Sequence, residues 1–171
     1  CFANLVEPGD KVIVCINGVF GTRMKENVIR VGGKAVIISD DWGKPVNPQK
    51  VEQALVDNPD TKILAFVHAE TSTGAISDAK QLCELANKHG CLSIVDAVTS
   101  LAGSELRVDD WGIDAIYSGS QKCLSAMPGL SPVSFSEKAI HKFSHRKTPV
   151  TSWFLDLNLV MGYWGKGAKR A

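Results

Sequence analysis

The sequence Asp114-Ala115-Ile116-Tyr117-Ser118-Gly119-Ser120-Gln121-Lys122 joins a short apolar strand to a serine and glycine run that ends it. Lys122 therefore stands at the carboxyl end of a strand expected to be buried, where a lysine has little structural reason to lie. A second apolar run, 91–95, is followed directly by Asp96. Because the carboxyl ends of parallel strands form one edge of a sheet, we expect the amine and the carboxylate to face one crevice.

Apolar runs that are typical of strands alternate with helical patterns along the whole chain. Strands are predicted over residues 11–16, 34–39, 62–67, 91–95, 114–117 and 131–135. Helices are predicted over residues 21–31, 49–56, 79–89, 136–143 and 153–164, with Asn47, Asp78 and Ser136 as caps. This alternation predicts an α/β fold with a mainly parallel sheet and helices on both of its faces. A ligand of such a sheet lies beyond the carboxyl ends of the strands, where Thr71, Asp96 and Lys122 all fall.

The composition is that of an ordinary globular protein. The 171 residues are enough for one well-cored domain, and 44% are hydrophobic while 22% are charged. The net charge of +1 gives no basis for a nucleic-acid or polybasic membrane surface, and no apolar run approaches the ~20 residues of a membrane span. Five cysteines without a CxxC pair or a ligand-like grouping predict reduced thiols, no metal site and a cytoplasmic compartment. Cys123 is interpreted as a buried packing residue.

A lysine amine beside an aspartate carboxylate is the pair that pyridoxal 5'-phosphate requires. The lysine forms the Schiff base, and the aspartate keeps the pyridine nitrogen protonated so that the ring can accept electrons. The structural alternative for each residue alone is a solvated loop for Lys122 and a cap of the turn at residues 97–100 for Asp96. Sequence motifs elsewhere in the chain favour the cofactor.

Three motifs in a fixed order resemble the class V pyridoxal-phosphate-dependent aminotransferases. They are His68-Ala69-Glu70-Thr71-Ser72-Thr73-Gly74, Val95-Asp96-Ala97-Val98-Thr99-Ser100 and Ser118-Gly119-Ser120-Gln121-Lys122. The resemblance runs from Leu5 to Gly165 and is strongest to the alanine–glyoxylate and serine–glyoxylate (serine–pyruvate) branch. It implies that residues 1–171 belong to the cofactor-binding large domain of fold type I. It also implies an incomplete domain, with the phosphate loop upstream of Cys1 and the small domain, which holds the substrate-binding arginine, downstream.

The resemblance assigns the two central roles. Lys122 would form the internal aldimine with the cofactor and then move a proton between the α-carbon of the amino acid and C4′ of the cofactor. Asp96 would pair with the pyridinium nitrogen. A buried carboxylate at the end of an apolar strand needs such a partner.

Four further residues are assigned to the cofactor by resemblance. The Thr71 hydroxyl would lie near the phenolic oxygen of the ring, and the Gln121 side chain would reach the phosphate. Val98 would contact the ring from below. Phe20 stands where this branch often has a tryptophan stacked on the ring, and phenylalanine can also stack. Turn formation for Thr71 and ordinary packing for the other three remain the alternatives.

The resemblance implies transamination of alanine or serine with glyoxylate or pyruvate as acceptor. It also implies a homodimer, because the family completes its phosphate site with residues of a second subunit. A eukaryotic source would also permit a peroxisomal or mitochondrial location. The alternatives are a lyase of the same fold, such as a cysteine desulfurase or a kynureninase relative, and a non-catalytic scaffold domain. The desulfurase is disfavoured because Cys123-Leu124 follows Lys122 where that group usually has a histidine.

Overall fold

The computed structural model describes residues 1–163, which form two sheets and six α-helices. The strands are β1 (Lys11–Ile16), β2 (Lys34–Ser39), β3 (Ile63–Val67), β4 (Ala69–Glu70), β5 (Ala75–Ile76), β6 (Leu92–Asp96), β7 (Ala115–Tyr117) and β8 (Val133–Phe135). The helices are α1 (Phe2–Leu5), α2 (Val19–Arg30), α3 (Pro48–Asp57), α4 (Ala79–Lys88), α5 (Glu137–Ser144) and α6 (Leu157–Met161). Among these helices none is both long and apolar enough to cross a membrane.

The main sheet has six strands in the order β2-β1-β3-β6-β7-β8. All neighbouring pairs are parallel except β7 and β8, which are antiparallel. The carboxyl ends of the three central strands are level, because Val67 pairs with Asp96 and Asp96 pairs with Tyr117. The predicted mainly parallel sheet is confirmed, and its register places the loops after β3, β6 and β7 side by side.

Helices cover both faces of the sheet, as predicted. On one face α3 and α4 pack Leu55 and Leu82 against Phe66 of β3. On the other face α1, α2 and α5 pack around Met24 and Phe143. Successive side chains of a strand point to opposite faces, so the central strand β3, which is apolar along its whole length, contributes to both cores.

Most helix starts are fixed by residues next to them in the sequence. The Asn47 side chain accepts hydrogen bonds from the first backbone amides of α3, and Asp78 and Ser136 cap α4 and α5 in the same way. Helices α1 and α2 have no such cap, and α2 begins at Val19 rather than at the predicted Gly21. Its first amides are bonded by side chains from a distant loop, which no local pattern reveals.

The segment 153–164 does not form the single helix that its apolar pattern predicts. A 3₁₀ turn spans Trp153–Leu155, and α6 begins afresh because the Asp156 side chain accepts a hydrogen bond from the amide of Asn158 at 2.9 Å. Within residues 1–163 this segment is not buried, because Trp153 and Phe154 are 78% and 80% exposed. Trp164 lies outside the described residues.

Candidate active site

The six residues predicted to contact the cofactor all follow the carboxyl ends of adjacent strands. Phe20 follows β1 and Thr71 follows β3, while Asp96 ends β6 and is followed by Val98. Gln121 and Lys122 follow β7. One edge of the sheet therefore carries every predicted site residue, at the position where parallel sheets bind their ligands.

Asp96 is a buried carboxylate that lacks a cationic partner within residues 1–163. The residue is 4% exposed, and Oδ1 accepts a hydrogen bond from the amide of Val98 at 2.9 Å. Burial raises the pKa of Asp96, the Val98 amide and the Tyr117 hydroxyl lower it, and the charge of Glu70 raises it again. None of the ion pairs formed within residues 1–163 involves Asp96. Asp96 therefore caps the turn and also leaves its negative charge unpaired among the described residues. A pyridinium nitrogen is a positive group that could pair with it.

Lys122 lies in a tight exposed turn that is anchored by a buried residue. The Ser120 hydroxyl donates a hydrogen bond to the carbonyl of Met127 at 2.6 Å. The Ser120 carbonyl accepts one from the amide of Ala126 at 2.9 Å, and the two bonds close the turn. Ser120 is buried while Lys122 is exposed. No ion pair within residues 1–163 joins Lys122 to Asp96. The amine is therefore presented at the edge by a hydrogen-bonded turn and has no competing partner among residues 1–163.

Cys123 is exposed, so its interpretation as a buried packing residue is wrong. Its thiol donates to the carbonyl oxygen of Thr99 at 3.2 Å. The thiol lies close to Gly103, where any Cβ would approach the sulfur to 2.5 Å. Cys123 therefore ties the turn that carries Lys122 to the loop that follows Asp96.

Thr71 belongs to the same cluster of loops. Its Oγ1 lies 2.7 Å from Oγ1 of Thr99, and the Thr99 hydroxyl donates to the carbonyl of Ala69 at 2.8 Å. Together with the thiol contact of Cys123, these bonds hold three motif loops in one network. The structure thus brings Thr71 close to the loops of Asp96 and Lys122.

Phe20 lies in the first turn of α2 with its ring partly exposed. The guanidinium carbon of Arg23 is 4.8 Å from the centroid of the ring, which is a cation–π contact. One face of the ring is therefore occupied by Arg23, and a stacked ligand would use the other face.

Gln121 and Val98 line a cavity of about 730 Å³ together with Tyr117 and Ser131. The remaining four predicted residues are not among those lining it. The Gln121 side chain folds back over Gly119, where a Cβ would lie 2.8 Å from Oε1. The site that the motifs define is consequently the edge of the sheet, and the cavity adjoins only its Gln121 side.

Two residues of this edge were missed by reasoning from the sequence. Tyr117 is paired with Asp96 across β6 and β7, so it lies on the same face as the carboxylate, and burial raises its pKa. Glu70 is buried at the end of β4 among loops that are remote in sequence. The strand register would have revealed Tyr117, but the apolar patterns alone do not fix that register.

Comparison with solved structures defines the class of this fold. The alanine–glyoxylate aminotransferase from Nostoc sp. superposes with a TM-score of 0.94 at 43% identity, over 99% of this chain and 45% of that one. The ureidoglycine–glyoxylate aminotransferase from Bacillus subtilis superposes with a TM-score of 0.93 at 36% identity, over 96% of this chain and 42% of that one. The predicted large-domain fold of the fold-type-I pyridoxal-phosphate-dependent transferases is confirmed.

The chain belongs to the aminotransferase class-V family, whose model matches residues 1–151. It is 40% identical over 166 residues to the alanine–glyoxylate aminotransferase of Oryctolagus cuniculus. The matched region covers 97% of this chain and 42% of that relative. The family resemblance drawn from the three motifs is confirmed. The chain spans about two fifths of the length of the curated relatives it matches.

Proposed function

We propose that the full-length protein is a pyridoxal-phosphate-dependent aminotransferase that passes the amino group of alanine or serine to glyoxylate or pyruvate. The observation that carries this proposal is Asp96, a buried carboxylate without a cationic partner in residues 1–163, at the strand edge that also presents Lys122. Glyoxylate stands in the names of both the alanine and the ureidoglycine enzymes that the chain resembles, which favours it as the acceptor.

In the proposed transamination, Asp96 and Lys122 would have different roles. Pyridoxal phosphate, when bound, supplies an electron sink for the pair left at the α-carbon of the amino acid. Asp96 would hold a proton on the ring nitrogen through its negative charge. Nζ of Lys122 would attach the cofactor and, once released by the substrate, carry the proton removed from the α-carbon.

The other predicted residues would bind and orient the cofactor. Thr71 would lie beside the phenolic oxygen, and Gln121 would reach the phosphate from the mouth of the adjoining cavity. Val98 would support one face of the ring, and Phe20 would stack with the face that Arg23 leaves open.

The test is reduction of the full-length protein with borohydride after it has been incubated with pyridoxal phosphate, followed by peptide mapping. We expect the label on the peptide that contains Lys122 and its loss in Lys122→Ala. The matched control is Lys138→Ala, which removes an exposed lysine at the start of α5. Label on another lysine, with Lys122 unmodified, would refute the assignment.

The homodimer remains a prediction. The exposed rings of Trp153 and Phe154 support it, because large apolar groups of this kind are usually covered by further polypeptide. Sedimentation of the full-length protein at low concentration measures the state directly. A monomer that transaminates at full rate would contradict a site shared between subunits.

A further inference from the structure

Glu70 is a fully buried carboxylate that accepts hydrogen bonds from the first turn of α2 and from the loop that follows β4. It is 1% exposed. Its Oε1 accepts from the amide and the hydroxyl of Ser72 at 3.0 and 2.7 Å. Its Oε2 accepts from the amides of Phe20 and Gly21 at 3.1 and 3.3 Å. Every contact is a donor, so the group acts as a carboxylate with both oxygens satisfied.

The surroundings of Glu70 are shaped to admit it. Gly18 precedes α2, and a Cβ at this position would overlap Cγ of Glu70 and lie 2.6 Å from Oγ of Ser72. The Ser72 hydroxyl also accepts from the amide of Val19 at 3.0 Å. The carboxylate therefore fills the amino end of a twelve-residue helix, where the helix dipole favours a negative charge.

This arrangement does more than cap a helix. A serine, threonine or aspartate at position 18 would cap α2 locally, without any side chain from a distant segment. The chain instead has glycine there and bonds the helix with a residue that directly precedes Thr71. Glu70 thereby fixes the backbone of Phe20 on one side and the start of the Thr71 loop on the other.

The same network continues to the loop that follows Asp96. Thr71 bonds the hydroxyl of Thr99, and Thr99 lies three residues after Asp96. Glu70 is consequently the buried point at which the segments following β1 and β3 are joined, and Thr71 extends the junction to β6. The three segments carry Phe20, Thr71 and Asp96, which the proposed function assigns to the cofactor.

We propose that Glu70 is a positioning residue for the cofactor: it sets the spacing between the Phe20 ring and the Thr71 hydroxyl so that both reach one bound ring. The inference rests on the proposed function. It holds that Glu70 itself does not touch the cofactor and acts through the backbone amides of α2 and through Ser72.

The experiment compares three variants of the full-length protein. Glu70→Gln keeps the shape of the side chain but turns a donor group toward buried donors. Ser72→Ala removes one donor without changing the charge. Glu84→Gln, on the exposed face of α4, is the matched control. Each protein is freed of cofactor, its thermal unfolding is recorded, and pyridoxal phosphate is titrated by absorbance and by visible circular dichroism.

We expect Glu70→Gln to raise the dissociation constant for pyridoxal phosphate about tenfold and Ser72→Ala about threefold, because charge-assisted bonds are lost from the junction. The visible circular dichroism per bound cofactor should also change, since it reports how the ring is held. Glu84→Gln should stay within about twofold of the wild type. A purely structural role would lower the unfolding temperature and leave both cofactor readouts unchanged.

The outcomes separate this inference from the proposed function. A wild type that binds pyridoxal phosphate, with a folded Glu70→Gln that binds it equally well and with the same dichroism, overturns the positioning role alone. If Glu70→Gln does not fold, an unchanged dissociation constant in Ser72→Ala overturns it instead. A wild type that fails to bind pyridoxal phosphate overturns both ideas.

Discussion

Thr71 is the donor in the hydrogen bond that joins its hydroxyl to that of Thr99, 2.7 Å away. The Thr99 hydroxyl has one proton and gives it to the carbonyl of Ala69 at 2.8 Å, so only Thr71 can supply the proton between the two threonines. Thr71 therefore turns lone pairs, and no free proton, toward the ligand edge. Its contact with a cofactor oxygen would need either a protonated partner or a break in this chain of bonds.

The pairing of these threonines predicts a coupling that can be measured. Thr71→Val and Thr99→Val each break the same hydrogen bond, so the double variant should lose less stability than the sum of the two single variants. We expect a coupling free energy of roughly 0.5–1 kcal/mol, at the lower end of what such bonds contribute because Thr71 is exposed. Urea unfolding of the four cofactor-free proteins measures it, and strict additivity would show that the bond contributes nothing.

Asp96→Asn should preserve the fold and remove most of the transamination. The amide has a similar shape and its oxygen can still accept from the Val98 amide, but it no longer carries the charge that keeps the ring nitrogen protonated. We expect the turnover number to fall by about a hundredfold or more, as when a single electrostatic partner is removed from an active site. Steady-state kinetics with alanine and glyoxylate provide the measurement. A variant that turns over near the wild-type rate would refute the pyridinium role.

Although Asp96→Asn should lower activity, it should raise the stability of the cofactor-free protein. Burial raises the pKa of Asp96 above its ordinary value of 3.8, so the folded state holds the proton more tightly than the unfolded state. Stability is then lost as the pH rises from the ordinary value through the raised one, and the loss persists above it. Asp96→Asn, which cannot ionise, avoids this loss.

We therefore expect cofactor-free Asp96→Asn to be more stable than the wild type at neutral pH. The difference in the free energy of unfolding should shrink as the pH falls toward the ordinary value of 3.8. Saturating pyridoxal phosphate should reverse the order at neutral pH, because only the wild type gains the ion pair. Denaturant unfolding over a pH series checks this, and a difference that does not vary with pH would contradict an uncompensated carboxylate at Asp96.

Local patterns in the sequence were sufficient for most of the scaffold. The bounds of β1 and β2 agree with the predicted runs 11–16 and 34–39, because apolar runs that end at turn residues are self-contained signals. The Asn47 cap is likewise a contact between neighbours in the chain. Prediction was wrong for 153–164, where the Asp156 cap restarts the helix and overrides a continuous apolar pattern.

The edge of the sheet was predictable only in part. Asp96 and Lys122 could be found because each is a charged residue after an apolar strand. Glu70 and Tyr117 could not, because their partners come from other segments of the chain: Glu70 bonds the amides of Phe20 and Gly21, and Tyr117 reaches Asp96 through strand pairing. Motif order predicts which residues lie nearest the chemistry, whereas the buried residues that hold them are found only from the three-dimensional arrangement.

Gly18 gives the sharpest test of how tightly the edge is packed. Its backbone is extended, a conformation open to any residue, so its restriction comes from space alone. Gly18→Ala would place a methyl group against Cγ of Glu70 and 2.6 Å from Oγ of Ser72, and we expect a loss of about 1–3 kcal/mol in the free energy of unfolding. In a Glu70→Ala background the carboxylate is gone and the Ser72 hydroxyl loses the acceptor that it bonds at 2.7 Å, so Ser72 can turn away. The added cost of Gly18→Ala should then fall well below its cost in the wild type. Denaturant unfolding of the four proteins measures both costs, and an equal cost in the two backgrounds would show that Gly18 is not required by Glu70.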